Sequence, residues 1–198
     1  MKKDDFSAAI RALRKGQLVI YPTDTLYALG ADIYNETAVR KVFETKQRPF
    51  NIPLPVAVHS IQAIRTIAVM STIAQKISEE FLPGDLTMVL KKKPSVPAIV
   101  TSGFDTIGVR VPNHPLALKL LAKYGPLTVT SANIHHKETK GLIRDILQQL
   151  QTDVPVCLYA GRRQSSPSTI VDLSNDTPRI VREGSITKKE ILDVISHG

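Results

Sequence analysis

The apolar positions along this chain change their spacing repeatedly, and each change marks an element. Phe6, Ile10 and Leu13 share one face of a helix predicted over residues 4–15, with Gly16 as its stop. Leu18-Val19-Ile20 is apolar without alternation and predicts a buried strand over residues 17–21. Helical spacing returns over residues 36–46, with Asn35 as N-cap and Val39, Val42 and Phe43 inward. Val56-Ala57-Val58 reads as a short strand. Ser60 and Ser71 each open a helical pattern, the second carrying Ile73, Ile77 and Phe81. Pro83-Gly84 breaks the chain before strands over residues 86–90 and 106–111. A helix over residues 115–124 closes at Gly125, a strand covers 127–130, and a further helix is expected over 138–151. Residues 156–159, 169–172 and 179–181 are short strands. Thr187 and Glu190 form a capping box that starts a last helix through Ile195. Strands mixed with helices in this way predict a single α/β layer structure.

Composition narrows the reading. At 198 residues and 42% hydrophobic content, the chain can bury one core, and residues 1–198 are expected to form one domain. The single cysteine, Cys157, has no partner for a disulfide or a zinc site and reads as a small buried hydrophobe. No apolar run approaches a membrane span, and no apolar core follows Met1-Lys2-Lys3-Asp4-Asp5. A soluble cytoplasmic protein is the expectation. The net charge of +8 favours anionic partners such as nucleotides or RNA. The excess is scattered, however, in short clusters such as Lys91-Lys92-Lys93 and Arg162-Arg163, without interleaved aromatics. Neither a P-loop nor a G-x-G-x-x-G occurs, so a nucleotide would be held by side-chain cations and hydroxyls. No His, Cys or Asp spacing suits a metal cage, and no G-x-S-x-G offers a serine nucleophile.

Polar groups concentrate where strands end. Tyr21 to Gly30 reads Y-P-T-D-T-L-Y-A-L-G, placing Thr23, Asp24 and Thr25 just after a buried strand, where open α/β sheets set their ligand groups. A plain Pro-Thr-Asp turn is the alternative. Lys46-Gln47-Arg48-Pro49 follows a helix; in extended geometry Lys46 and Arg48 would face one side and suit a polyphosphate. On these residues alone, a basic helix end complementing the dipole is the simpler reading. In residues 106–111, Thr106, Gly108 and Arg110 share one face and Ile107, Val109 and Val111 the other. Arg110 then needs a partner, either a ligand anion or a carboxylate of the protein itself. Ser131-Ala132-Asn133, Ser168-Thr169 and Arg182 repeat the pattern of hydroxyls, an amide and a cation at strand ends.

In this order these segments resemble the YrdC/TsaC family, the threonylcarbamoyl-AMP synthases, in its short single-domain form. The similarity runs from about Gln17 to Gly184. It rests on Pro22 to Gly30; Lys46 and Arg48 with Pro53-Leu54; Pro83, Gly84 and Thr87; Thr106, Arg110 and Pro112; Ser131 to Asn133; and Ser168, Thr169 and Asp172 with Arg182 and Gly184. The resemblance implies a YrdC-like twisted open mixed sheet flanked by helices, with a large basic concave surface. It implies an enzyme that joins L-threonine, bicarbonate and ATP into threonylcarbamoyl-AMP and pyrophosphate, with Mg²⁺ accompanying ATP. The product would serve threonylcarbamoylation of adenosine 37 in tRNA through a downstream transferase of the TsaD/Kae1 type, with tRNA contact open. By the same resemblance, Lys46 and Arg48 would hold phosphates and act catalytically. Thr106, Ser131, Asn133 and Arg182 would contact ATP. Thr25, His59, Arg110 and Ser168 would hold threonine.

The chain departs from the family pattern at several positions. Ala28 replaces a glycine, Asp85 stands where proline is common, Ile52 replaces a polar residue, and Ile134-His135-His136 follows Ser-Ala-Asn. Ending at Gly198, it is expected to lack the additional domain of longer synthases. An RNA-binding module, or a protein of the YciO branch with other nucleotide chemistry, remains the alternative.

Overall fold

The computed structural model describes residues 6–163, 166–175 and 177–196. Residues 4 and 5 of the first expected helix lie outside that range. In chain order, the helices are α1 (Phe6–Arg14), α2 (Glu36–Lys46), α3 (Ile61–Ile64), α4 (Thr72–Phe81), α5 (Pro115–Tyr124), α6 (Ile143–Leu150) and α7 (Lys188–Ser196). The strands are β1 (Val19–Pro22), β2 (Tyr27–Gly30), β3 (Val56–Ala57), β4 (Leu86–Lys91), β5 (Thr106–Arg110), β6 (Leu127–Thr128), β7 (Thr130–Ser131), β8 (Val156–Cys157), β9 (Thr169–Asp172) and β10 (Arg179–Arg182). No helix among the described residues is long and apolar enough to cross a membrane.

Local chemistry sets the helix starts. The side chains of Asn35, Ser60 and Ser71 accept the backbone N–H of Ala38, Ala63 and Ala74, satisfying one otherwise orphaned donor in each first turn. Thr187 and Glu190 close the capping box in both directions. Helix α6 begins later than its periodicity suggests. The backbone ahead of it is spent on loop contacts, with the Lys137 carbonyl accepting from Asn133 and the Glu138 carbonyl from Gln149.

The α/β class with flanking helices holds, but the strands form two mixed sheets. One has the order β7-β2-β1-β8 and the other β10-β9-β4-β5-β3-β6. Sequence reading missed β2, whose four residues are all buried and so show no alternation; it returns antiparallel on β1 after the Thr23–Leu26 turn. The strand expected over 127–130 divides at Val129. Leu127 and Thr128 pair with β3 in the larger sheet, while Thr130 and Ser131 pair with β2 in the smaller. Thr128 ties the junction. Its hydroxyl donates to the Leu29 carbonyl and accepts from the Ala31 N–H, and its carbonyl accepts from the Tyr21 hydroxyl. A chain that changes sheet within one residue leaves a groove between the sheets. The apolar side of β5, Ile107 and Val109, is buried in the core together with Val111 just after it, so Thr106, Gly108 and Arg110 face that groove.

Candidate active site

A cleft of about 650 Å³ opens between the two sheets, a volume suited to a nucleotide-sized ligand. The smaller sheet contributes Tyr27, Ala28, Thr130 and Ser131, and the larger contributes Thr87, Thr106, Gly108 and Arg110. Arg48, Ser168 and Arg182 also line it. Seven of the ten residues named from the sequence therefore reach one cleft: Thr25, Arg48, Thr106, Arg110, Ser131, Ser168 and Arg182.

The other three stand elsewhere. His59 is exposed on the turn after β3, apart from the described lining. Lys46 and Asn133 are buried behind the wall, at 2% and 7% exposure. The expectation that Lys46 and Arg48 face one side fails for a backbone reason. Lys46 is the last helical residue, and Gln47 caps the helix in the left-handed region at φ 50°, so the chain reverses before Arg48. The Lys46 ammonium donates instead to the carbonyls of Ser131 (2.5 Å) and Asn133 (2.7 Å) and to Asn133 Oδ1 (3.1 Å). Burial, and then the charge of Arg48, push Lys46 down to about 7.

Arg48 is half-buried and held lightly, donating through Nε to the Ile52 carbonyl and through Nη2 to the Pro53 carbonyl. The 134–137 segment lies beside this end. The His135 N–H donates to the Lys46 carbonyl, and the His135 and His136 rings lie 3.8 Å apart. Burial first, then His136, Arg48 and Lys46, hold the His135 imidazole below its ordinary range.

Arg110 answers the question its sequence position raised. It is 5% exposed, and Nη2 pairs with Asp24 Oδ1 at 2.7 Å and donates to the Gly84 carbonyl at 3.1 Å. Asp85 Oδ1 lies 3.8 Å from the same nitrogen, and Thr25 accepts from Nη1 at 3.4 Å. The partner is thus a carboxylate of the protein. Nε of Arg110 and Oδ2 of Asp24 have no partner among the described residues. Burial lifts the Asp24 carboxyl above its usual range, against the pull of Arg110. Sequence reasoning set Asp24 at a strand end suited to ligand groups but gave it no role, and Asp85 stood out only as a departure at a proline position.

A hydroxyl group builds the adjoining wall. Thr87 and Ser168 hydroxyls share a buried 2.9 Å hydrogen bond, and Thr23 and Thr25 hydroxyls lie 3.1 Å apart. Arg182 donates twice to the Ser168 carbonyl, at 3.1 and 2.7 Å, which sets it beside the Ser168 group. Burial and the nearby Arg110 charge both depress Arg182. Gly184 permits this contact. A Cβ there would lie 2.7 Å from the Thr169 nitrogen and closer still to the Pro167 carbonyl oxygen. Gly184→Ala is therefore expected to cost about 1–3 kcal/mol through displaced backbone at Ser168. Urea unfolding checks this, and an unchanged midpoint would show that the wall yields freely.

Cys157 is half-buried beside the core, and burial pushes its thiol up to about 11, in keeping with a packing role. Among the described residues, no group of three or more His, Cys, Asp or Glu is placed to hold a metal ion.

Comparison with known proteins places these features in one family. The profile named Sua5_yciO_yrdC, described as telomere recombination, matches residues 11–184. A protein of Methanocaldococcus jannaschii named putative threonylcarbamoyl-AMP synthase is 41% identical over 177 residues, covering 89% of this chain and 84% of its own. The crystal structure of Pyrococcus abyssi Sua5 complexed with L-threonine superposes with a TM-score of 0.90 at 34% identity, covering 96% of this chain. This chain spans 57% of that one. The structure of Escherichia coli YciO gives a TM-score of 0.86 at 30% identity, over 94% of this chain and 92% of its own. With the profile spanning both sheets and every residue of the cleft, the chain belongs to the Sua5/YciO/YrdC family.

Proposed function

We propose that this protein is an L-threonylcarbamoyladenylate synthase, a nucleotidyltransferase making threonylcarbamoyl-AMP and pyrophosphate from L-threonine, bicarbonate and ATP. The observation that carries the reading is a single cleft that gathers Arg48 and Ser131 with Arg110, Thr25, Ser168 and Arg182. The threonine carbamate and ATP are both anions, and cations from different elements are what bring two anions together. Relatives named for this activity, and a neighbour crystallised with L-threonine, support it.

In this reading threonine's amine attacks the carbon of bicarbonate and water leaves, giving a carbamate whose oxygen attacks the α-phosphorus of ATP while the bond to pyrophosphate breaks. Arg48 grips phosphate oxygens and offsets charge on the leaving group. Arg110, which lines the cleft, pairs with the threonine carboxylate, and the Thr25 and Ser168 hydroxyls meet the rest of the amino acid. Thr106, Ser131 and Arg182 border the nucleotide path. Mg²⁺ enters with ATP as part of the substrate, held by phosphate oxygens and water. The carboxylates beside the cleft, Asp24 and Asp85, are turned toward Arg110. The 198 residues act as one unit in the cytoplasm. The product passes to a TsaD/Kae1-type transferase that modifies adenosine 37 of tRNA.

One observation favours a second reading, a YciO-like protein with other nucleotide chemistry. Asp85 adds a second carboxylate beside Arg110 and weakens its pull on an incoming carboxylate. Pyrophosphate release with ATP, Mg²⁺ and bicarbonate decides between them. Release that depends on threonine and bicarbonate, with an adenylate product of the expected mass, is the expected result. ATP binding by folded protein without such release would favour the second reading.

A further inference from the structure

The buried lysine that ends α2 does not meet the cleft, and its hydrogen bonds account for it completely. An ammonium has three protons to give, and Lys46 gives them to three oxygens of one segment: Ser131 O, Asn133 O and Asn133 Oδ1. Asn133 is spent in the same way. Its Oδ1 accepts from Lys46 and from the Ser131 hydroxyl at 2.6 Å, and its Nδ2 donates to the carbonyls of Ile134 (3.0 Å) and Lys137 (2.6 Å). Two acceptor sites and two donors are all a carboxamide has. The Lys46 carbonyl adds one more tie, to the His135 N–H at 2.7 Å. Neither residue lines the cleft, whereas Arg48 and Ser131, their neighbours in sequence, both do.

We propose that Lys46 and Asn133 form one buried positioning node that fixes residues 131–137, and that phosphate contact at this wall falls to Arg48 and Ser131. The kinetic part rests on the nucleotide reading above; the node itself does not. Satisfied buried networks of this kind hold a segment in one shape, and losing either member leaves several polar groups unpaired at once. A lysine that gripped phosphate would have to abandon three bonds to do so. The node keeps them, and shapes the wall that the nucleotide meets.

The test uses Lys46→Met, Asn133→Ala and the double variant of the full chain. Without any ligand, amide hydrogen exchange should accelerate across residues 132–137 in each single variant, while β4 and β5 stay protected. In steady-state assays, the KM for ATP should rise at least about tenfold in either variant, with the KM for threonine within about twofold of wild type. The double variant should be no worse than the weaker single one, because both remove the same unit. Partial unfolding alone would lower kcat and leave both KM values unchanged. Unaltered exchange in residues 132–137, or ATP losses that multiply in the double variant, would overturn the node. If Lys46→Met fails to fold, exchange and ATP KM in Asn133→Ala decide the matter. If the wild type releases no pyrophosphate, the synthase reading falls and the exchange result alone judges the node.

Discussion

Replacing Arg48 by alanine is expected to cut threonine-dependent pyrophosphate release by at least about a hundredfold while leaving the protein folded. Both halves follow from how the side chain is held. Its hydrogen bonds go to the Ile52 and Pro53 carbonyls, on a loop that water reaches, so those oxygens find new partners when the guanidinium is gone. The stability cost should stay below about 1 kcal/mol, as for other solvent-accessible contacts. Catalysis has no such replacement. Among the residues that line the cleft, Arg48 is the cation that neither a carboxylate nor the Ser168 group holds, and developing charge on pyrophosphate needs a fixed positive group. Arg48→Lys should fall between the two, since it keeps the charge and loses the planar fork. Pyrophosphate release, paired with a thermal melt by circular dichroism, measures both effects. Turnover within a few-fold of wild type in Arg48→Ala would remove this residue from the phosphates.

The contrast between Arg48 and Lys46 shows where the sequence stops informing. Periodicity and caps located most elements, because Asn35, Ser60, Ser71 and Thr187 act locally and their partners lie within four residues. The motifs named most of the cleft for a similar reason. The alternation in Thr106–Arg110 fixes which face of β5 lines the cleft once the other face is buried. Three features were not legible. The left-handed residue at Gln47 turns Lys46 and Arg48 apart, and nothing in K-Q-R-P specifies it. The split at Val129 is a tertiary event, set by the Val129 N–H bonding to the Pro55 carbonyl while Thr128 and Thr130 pair with different sheets. The partners of Arg110 come from loops 86 and 25 residues away, at Asp24 and Asp85, which no local pattern joins. The Asp85 departure was visible in the sequence. Its meaning became readable only when the fold set it 3.8 Å from the guanidinium.

That cluster yields the largest expected effect on stability. Arg110→Met should destabilise the protein by about 3–5 kcal/mol and abolish threonine-dependent turnover. The substitution leaves Asp24, whose side chain is 13% exposed, beside Asp85 with no cation to compensate the pair. Asp24→Asn should cost far less, since an amide oxygen can still accept from Nη2 and Asp85 remains beside Arg110. The asymmetry carries a pH signature whose sign is fixed. Burial already raises the Asp24 carboxyl above its unfolded value, with Arg110 opposing, so removing Arg110 raises it further. A carboxyl raised on folding binds more protons in the folded state. Its stabilising contribution is complete below the unfolded value near 3.8 and is lost as pH climbs through the folded one. The deficit of Arg110→Met relative to wild type should therefore be smaller at pH 5 than at pH 8, and Arg110→Met/Asp24→Asn should remove most of that difference. Urea unfolding at the two pH values reads all four proteins. A deficit that stays constant with pH, or one that grows on acidification, would show that Asp24 is not the group Arg110 compensates.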